Sequence, residues 1–232
     1  MDKSPVAVPT HVGYILDGNR RWARMHSLPE FDGHLAGYNA LSEVLEGSFE
    51  RGVEFVSLYA FSTENWQRDR KEVSSLMKLA MRAISNDLKR FIKNGIRVRI
   101  LGHREGLGQK LVEAIEKAEE ATKLLNKGTV LICFNYGGHS EIADAARKCV
   151  EDGLSAKEIN EEEIAKRLYA PDVPPIDIIV RTSGEQRLSN FMLWRASYSE
   201  LLFLEKYWPD MTKQDVADII KEYNNRQRRF GA

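Results

Sequence analysis

The chain has 232 residues, of which 43% are hydrophobic and 29% are charged. This composition allows one substantial core and gives no sign of disorder. The 34 basic and 34 acidic residues cancel, so binding to nucleic acid or acidic lipid would need a local cluster of charge, and we expect no nucleic-acid partner.

The first ten residues lack the apolar centre of a signal peptide, and no segment approaches the roughly 18 apolar residues of a membrane span. The two cysteines, Cys133 and Cys149, have neither zinc-ligand nor thioredoxin spacing. We therefore expect a cytoplasmic protein with core thiols, in which residues 1–10 form a flexible N-terminal segment.

Strand-like and helical segments alternate along the chain. Apolar runs typical of strands lie at residues 12–16, 55–61, 98–101, 130–135, 176–181 and 201–204. Helical patterns lie at residues 34–51, 71–94, 105–124, 140–151, 160–168 and 212–228. Several of the runs are too uniformly apolar for a half-exposed sheet. The sequence therefore predicts one α/β domain with a mainly parallel sheet of about six strands and helices on both faces.

The segment 71–94 carries an apolar stripe at three- and four-residue spacing. Its members are Leu76, Leu79, Ala80, Ala83, Ile84, Leu88 and Phe91. Such a stripe usually faces a core, and the alternative is that part of it lines a channel for an apolar ligand.

The first strand ends in a burst of polar residues. Asp17 follows the apolar run 12–16, Gly18 permits a tight turn, and Asn19 and Arg21 open the next helix. Such a turn can hold phosphate oxygens while Asp17 holds a divalent cation between them. The alternative is an ordinary Asp-Gly turn beside a solvated arginine cluster.

Two further strands end in the same way. Residues 55–61 lead into Ser62, Thr63, Glu64, Asn65, Trp66 and Arg68, and residues 176–180 lead into a segment with Arg181, Arg187 and Ser189. The carboxyl ends of parallel strands meet at one edge of a sheet, so these residues should converge on one cleft. Arginine forks and serine hydroxyls suit phosphate oxygens, and two groups of them predict two phosphorylated ligands.

A metal ion would relieve the repulsion between two diphosphates in one cleft. Mg²⁺ prefers oxygen ligands and typically takes one or two protein carboxylates. Asp17 is the first candidate ligand and Glu200 the second, although Glu200 can equally be an ordinary helix-end carboxylate. The Walker, dinucleotide-binding and GxSxG signatures are absent from the sequence.

The motifs of the whole chain, taken in order, resemble the cis-prenyltransferase family, which includes undecaprenyl diphosphate synthase. They are HVGYILDGNRRWA, GHLAG, SLYAFSTENWQR, NYGG, IIVRTSGEQRLSNFMLW, YSELLF, WPD and RRFG. The resemblance implies a catalytic domain over residues 11–232 with an apolar tunnel between sheet and helices. It also implies Mg²⁺-dependent condensation of isopentenyl diphosphate with an allylic diphosphate, such as farnesyl or geranylgeranyl diphosphate, through Z double bonds.

The resemblance also assigns roles. Asp17 would be the metal-linked aspartate, and the allylic diphosphate would be surrounded by Gly18, Asn19, Arg20, Arg21, Trp22, His34 and Arg68, with Ser62, Thr63, Glu64 and Trp66 beside it. Isopentenyl diphosphate would be bound by Arg181, Arg187, Leu188 and Ser189, with the tail Arg229-Phe230-Gly231 closing over it. Glu200 would complete the metal site from the second subunit of a homodimer. Asn65, a poor base, would orient the diphosphate oxygen or water that takes the proton.

One position departs from the family. Many members carry an arginine where this chain has Glu30, with Asp32 following, and an acid there would repel the ligand. Either Arg20 or Arg24 compensates, or the loop is displaced so that the acids face solvent, or the allylic partner differs. We expect the displaced loop, since the glycine and histidine that follow stay in register.

The product should be a polyprenyl diphosphate of medium or long chain for a lipid carrier, because Ala60 is small where a bulky residue would block the tunnel. Membrane contact is then expected only through the lipid product. Two other functions stay open: a catalytically silent subunit that stabilises a partner, and a phosphate-ester hydrolase or nucleotide switch. We predict dimer contacts near Glu200 through a group of apolar residues, namely Trp194, Tyr198, Leu201, Leu202 and Phe203. A core strand explains these residues equally well.

Overall fold

Six strands form one central sheet in which every neighbouring pair is parallel. The structure, a computed structural model, describes residues 7–226. The predicted tail 229–231 and residues 1–6 lie outside this range. The strands are β1 (His11–Ile15), β2 (Phe55–Ser62), β3 (Ile96–Leu101), β4 (Gly128–Tyr136), β5 (Ile178–Arg181) and β6 (Glu200–Phe203), in the order β3-β4-β2-β1-β5-β6. The predicted fold class is confirmed.

The helices connect the strands and cover the sheet. They are α1 (Asn19–Met25), α2 (Glu30–Glu50), α3 (Arg70–Asn94), α4 (Gln109–Thr122), α5 (Gly138–Glu151), α6 (Glu161–Ala165) and α7 (Lys213–Asn225). Helix α2 begins four residues before the predicted start, and α4 begins four residues after it because Gly106 is left-handed, with φ of 80°. Within residues 7–226, no helix has the length and apolar character that crossing a bilayer requires.

Both faces of the sheet are buried, which explains why the strands read as continuous apolar runs. Val12 and Tyr14 of β1 point into a large core cluster that also contains residues of α2, α3, α4 and α7. Ile15 points to the other face, into a smaller cluster that includes Phe191 and Cys133. Both cysteines are buried and unpaired, as predicted.

The order of the strands places β1 between β2 and β5, so the chain winds away from β1 in both directions. Ile15 lies opposite Tyr59 of β2 and Arg181 of β5. The three polar segments that follow these strands are therefore neighbours at the carboxyl edge of the sheet, where such folds bind ligands.

A buried ion pair lies on the face of the sheet that carries the smaller core cluster. Arg195 and Glu141 are 4% and 1% exposed, and Arg195 Nη1 lies 2.9 Å from Glu141 Oε1. The Tyr136 hydroxyl donates to the same carboxylate, and Arg195 Nη2 donates to the carbonyls of Tyr169 and Ala170 at 2.6 and 2.9 Å. The pair thereby ties α5 to the chain on either side of β5.

Removing either partner of this pair should destabilise the fold strongly, because the other charge would stay buried and uncompensated. We expect Arg195→Met or Glu141→Gln to lower the free energy of unfolding by about 3–5 kcal/mol. The double variant should lose clearly less than the sum of the two. Urea denaturation measures all three values, and strictly additive losses would contradict the coupling.

Candidate active site

A cleft of about 760 Å³ opens at the carboxyl edge of the sheet. It is lined by polar residues from the segments that follow β1, β2, β4 and β5, which are Asp17, Gly18, Asn19, Arg20, Arg21, Arg24, His34, Ser62, Glu64, Asn65, Arg68, His139, Arg181, Arg187, Ser189 and Asn190. The three segments predicted to converge do so, because parallel strands place their carboxyl ends side by side.

Asp17 occupies the centre of this edge. Its Oδ2 lies 2.8 Å from Nη2 of Arg181, and its Oδ1 lies 3.1 Å from Nη2 of Arg21. The backbone N–H of Asp17 donates to the Thr182 hydroxyl at 3.1 Å, and that hydroxyl donates to the Asp17 carbonyl at 2.6 Å. Gly18 follows with φ of 104°, and a β-carbon there would lie 2.7 Å from the Tyr207 ring. The turn therefore needs glycine.

The charge of Asp17 is stabilised by its arginines. Burial acts to raise the pKa of this carboxyl, but the hydrogen bond and charge of Arg181, joined by those of Arg21, outweigh burial and lower the pKa below 3.8. The side chain is therefore a carboxylate at neutral pH.

Three buried polar atoms of the cleft lining have no hydrogen-bond partner within the described chain: Asn19 Oδ1, His34 Nε2 and Arg181 Nε. Buried polar groups are nearly always bonded, so these atoms can bond to water or a ligand. His34 Nε2 also lies 3.6 Å from Glu72 Oε1. Burial lowers the pKa of His34, which favours a neutral ring. The guanidinium of Arg181 and the N–H of a suitable His34 tautomer can donate to an anion.

The segment after β5 forms one wall of the cleft. Arg181 Nη1 donates to the Ser189 hydroxyl at 2.8 Å and to the Arg187 carbonyl. Arg187 pairs with Glu185, which also holds Arg21 at 3.0 Å. Ser189 has φ of 49°, a left-handed conformation uncommon for serine. Such strain is typical of ligand-binding segments that the surrounding structure holds in place.

The segment after β2 forms the opposite wall. Asn65 Oδ1 accepts the backbone N–H of Ser62 at 3.1 Å, so its Nδ2 is the atom able to donate to a ligand. Arg68 Nη1 lies 2.9 Å from Glu72, and Glu64 accepts from Asn190 Nδ2 at 3.1 Å. The last contact joins the two walls.

Four predicted ligand-binding residues lie outside the cleft lining. Trp22 stacks on His26 and donates to Asp210 at 2.7 Å, and Trp66 donates to Asn135 at 2.7 Å. Leu188 packs against the smaller core cluster, and Thr63 begins the 3-10 turn Thr63–Gln67. In this structure the first three are supporting contacts of the walls.

Glu200 lies at the other end of its strand. It opens β6 opposite Ile178, whereas Asp17 lies beyond the position that pairs with Arg181. Its Oε2 lies 3.1 Å from Nη1 of Arg226. Residues 7–226 contain no group of three or more acidic, histidine or cysteine side chains that could hold a metal. Within one chain, Glu200 and Asp17 therefore lie towards opposite ends of the paired strands.

Sequence reasoning did not assign several residues of the site. Thr182 and Glu185, which orient Asp17 and the arginines, lie inside a segment already recognised as ligand-binding. His139 follows Gly137 and Gly138 at the end of β4, and its backbone N–H donates to Asn190 Oδ1 at 2.8 Å. The same pattern of a strand followed by glycines and polar residues could have identified this fourth segment.

A smaller apolar cavity of about 130 Å³ adjoins the cleft and shares Leu16, Asn19, His34 and Ala60 with it. Its deeper wall includes part of the predicted stripe of α3, namely Leu76, Leu79, Ala80, Ala83 and Ile84, and also Ile132 and Phe134. Phe91, from the same stripe, belongs to the core. The stripe thus packs on the core, as the first interpretation predicts, and a channel for an apolar ligand stays a prediction. Within the described residues the structure shows a cavity here and not a continuous tunnel.

Glu30 is paired with two arginines of the cleft. Glu30 is the first residue of α2, and its carboxylate contacts Arg20 Nε at 3.1 Å and Arg24 Nη2 at 2.6 Å. The hydrogen bond from Arg24 is the largest contribution that lowers the pKa of Glu30. These contacts agree with the alternative in which Arg20 or Arg24 compensates for the acid, and displacement of the loop relative to other members of the family stays a prediction.

Comparison with known proteins agrees with this geometry. The family model described as putative undecaprenyl diphosphate synthase matches residues 15–231. The chain belongs to this family. An isoprenyl transferase of Thermotoga maritima is 45% identical over 226 residues, 97% of each chain. A tritrans,polycis-undecaprenyl-diphosphate synthase (geranylgeranyl-diphosphate specific) of Pyrococcus horikoshii is 44% identical, covering 97% of this chain and 87% of its own.

Solved structures give the same assignment. Lavandulyl diphosphate synthase from Lavandula x intermedia, in complex with dimethylallyl diphosphate, superposes with a TM-score of 0.93 at 31% identity, over 97% of this chain and 99% of that chain. A probable undecaprenyl diphosphate synthase from Campylobacter jejuni gives 0.84 at 34% identity, over 97% and 100%. The protein is thus a prenyltransferase, and the cleft is its candidate active site.

The lowered pKa of Asp17 in this prenyltransferase should depend on Arg181. In Arg181→Met, burial still raises the pKa while the main opposing charge is gone, so the pKa should rise. The stability that the carboxylate contributes, present at neutral pH and lost as pH falls through the folded-state pKa, should then be lost at a higher pH.

Carboxyl carbon NMR titration, with the Asp17 signal assigned from Asp17→Asn, measures this pKa. Arg68→Met, which removes a cleft arginine that makes no contact with Asp17, is the control. An Asp17 pKa that is the same in Arg181→Met and in the control would contradict the prediction.

Proposed function

We propose that this prenyltransferase condenses isopentenyl diphosphate with an allylic diphosphate in a Mg²⁺-dependent reaction that builds Z double bonds. The observation that carries the proposal is the pair of contacts of Asp17, which joins Arg181, at the end of β5, to Arg21 of α1. The name of one relative, a synthase specific for geranylgeranyl diphosphate, supports that compound as the primer. Farnesyl diphosphate is the other primer that the family resemblance implies.

The two diphosphates have separate places in the cleft. The allylic diphosphate lies against Gly18, Asn19, Arg20, Arg21, His34 and Arg68, with its hydrocarbon entering the apolar cavity past Ala60. Isopentenyl diphosphate lies against Arg181, Arg187 and Ser189. Asp17 lies between the two sets, so the reacting carbons meet above it.

Among the described residues of a single chain, Asp17 supplies the carboxylate that would bind Mg²⁺. Its carboxylate is ionised and central, and Mg²⁺ in phosphate sites typically uses one or two carboxylates with substrate oxygens and water. Glu200 of a second subunit would be the other carboxylate. The ion, when bound, offsets the negative charge of the diphosphates.

The reaction breaks the allylic C–O bond, and the electron pair leaves with the diphosphate. The double bond of isopentenyl diphosphate then bonds to the allylic carbon, and a proton is lost from isopentenyl C2. Arg20, Arg21 and Arg68 stabilise the charge that develops on the leaving diphosphate. Asn65, as an amide donor, orients the diphosphate oxygen or water that takes the proton.

We place the reaction in the cytoplasm, with membrane contact through the lipid product, and assign a polyprenyl product of medium or long chain. Ala60, shared by the cleft and the apolar cavity, supports the length because a small side chain leaves the passage between them open. The buried free cysteines support a reducing compartment.

The proposal is tested by incubating the purified protein with Mg²⁺, labelled isopentenyl diphosphate and allylic primers of several lengths, and sizing the products. Chain extension that stops when the metal is chelated is expected. Phosphate release without a new carbon–carbon bond would point to a hydrolase, and an inactive protein that activates a partner would point to a silent subunit.

The two walls should serve different substrates. We expect Arg68→Ala to raise KM for the allylic diphosphate and Arg187→Ala to raise KM for isopentenyl diphosphate, each by about 10- to 100-fold, because each removes one charge-assisted contact. Steady-state kinetics with one substrate varied at a time gives both constants. Arg70→Ala, an arginine at the start of α3 outside the cleft lining, is the matched control. Equal effects on both constants would refute the assignment.

Glu200 should act from the partner subunit. Mixing Asp17→Ala and Glu200→Ala chains, each inactive alone, should restore up to about a quarter of wild-type activity, because half of the dimers are mixed and each has one intact site. Activity is measured after refolding the chains together at equal concentration. Failure to restore activity, with mixed dimers verified by mass spectrometry, would contradict a shared site.

A further inference from the structure

The arginines of the cleft are paired with carboxylates, and one carboxylate holds two of them. Glu30 contacts Arg20 Nε at 3.1 Å and Arg24 Nη2 at 2.6 Å. Both arginines line the cleft, whereas Glu30 is absent from the lining found within the described residues. Arg20 has a second, longer contact to Glu72 at 3.6 Å. Glu30 thus lies behind two guanidinium groups that face the ligand.

The position of Glu30 has an electrostatic consequence. Arg20 and Arg24 alone would present two positive charges to a diphosphate, whereas with Glu30 the group of three carries one. The side chains of Glu30, Arg20 and Arg24 are 37%, 40% and 61% exposed. Pairs this exposed are weak, so a ligand can recruit the arginines. The Glu30 carboxylate nevertheless competes for the same arginines, so each contact contributes less to the binding free energy of the ligand.

We propose that Glu30 is a specificity-determining residue that weakens the allylic diphosphate subsite and thereby limits the length of the product. The inference deepens the proposed function and rests on it. It is based on the geometry of these ion pairs and on the place of Arg20 among the residues assigned to the allylic diphosphate. The isopentenyl diphosphate wall, built from Arg181, Arg187 and Ser189, has no contact with Glu30 among the described ion pairs and hydrogen bonds.

The link to product length follows from the chemistry of elongation. The allylic diphosphate group leaves in each condensation, so the lengthened chain carries the diphosphate that arrived on isopentenyl diphosphate. That group must move to the allylic subsite before the next round. A weaker allylic subsite therefore acts against every further round and favours release of the chain. Removing the competing carboxylate should shift the balance towards elongation.

The test compares Glu30→Gln with Asp32→Asn. Asp32 lies in the same helical turn, and its substitution changes the net charge equally, but Asp32 makes no side-chain ion pair or hydrogen bond within residues 7–226. We expect Glu30→Gln to lower KM for the allylic diphosphate about three- to tenfold, to leave KM for isopentenyl diphosphate unchanged, and to lengthen the mean product. Asp32→Asn should match wild type in all three.

The proposal is overturned if Glu30→Gln leaves KM for the allylic diphosphate unchanged or raises it, since the carboxylate would then orient the arginines instead of competing. It is also overturned if Asp32→Asn has the same effect, because net charge alone would explain it. Unfolding temperatures confirm that both variants are folded.

Titration calorimetry with inorganic pyrophosphate separates this proposal from the assigned reaction, since it needs no turnover. Tighter pyrophosphate binding by Glu30→Gln than by wild type and Asp32→Asn supports competition at the subsite even if no chain extension is observed. Equal binding by all three proteins overturns it.

Discussion

The contact of Asp17 with Arg181 and Arg21 is the interaction on which the rest of the site depends. Arg181 ends β5 and is 4% exposed, so its charge requires a partner, and Asp17 supplies one from the adjacent end of β1. Thr182 fixes the backbone of Asp17 from the same direction. The start of α1 and the segment after β5 are therefore held together by the carboxylate that is also the proposed metal ligand.

Around this contact the cleft holds its cations with carboxylates placed mostly behind them. Glu72 contacts Arg68 and Arg20, Glu185 contacts Arg21 and Arg187, and Glu30 contacts Arg20 and Arg24. Such pairing keeps the guanidinium groups close together despite their repulsion. It also sets how strongly each subsite attracts a diphosphate. Glu185 contacts one arginine of each proposed subsite and so links them, whereas Glu30 contacts Arg20, which the proposal assigns to the allylic subsite.

In the proposed reaction, the apolar cavity orients the allylic substrate. It begins at Leu16 and Ala60, at the carboxyl edge of the sheet, and lies against the stripe of α3. A hydrocarbon tail placed there brings its diphosphate to the arginine-rich edge. The arginine-rich edge and the apolar cavity are therefore adjacent, because both are formed by one parallel sheet and the helices that cover it.

The sequence by itself determined the parallel sheet, the three converging segments and the family, because apolar runs, turn glycines and arginine-rich motifs are local patterns. The tertiary structure alone decided which charges meet. Asp17 and Arg181 are 164 residues apart in the chain. Trp22 and Trp66 lie outside the cleft lining and donate to partners as distant in the chain as Asp210 and Asn135. Pairing of Glu30 with Arg20 and Arg24 was decided likewise by how α1 packs on α2. Ion pairs are set by the final positions of side chains, which a pattern of residue types does not specify.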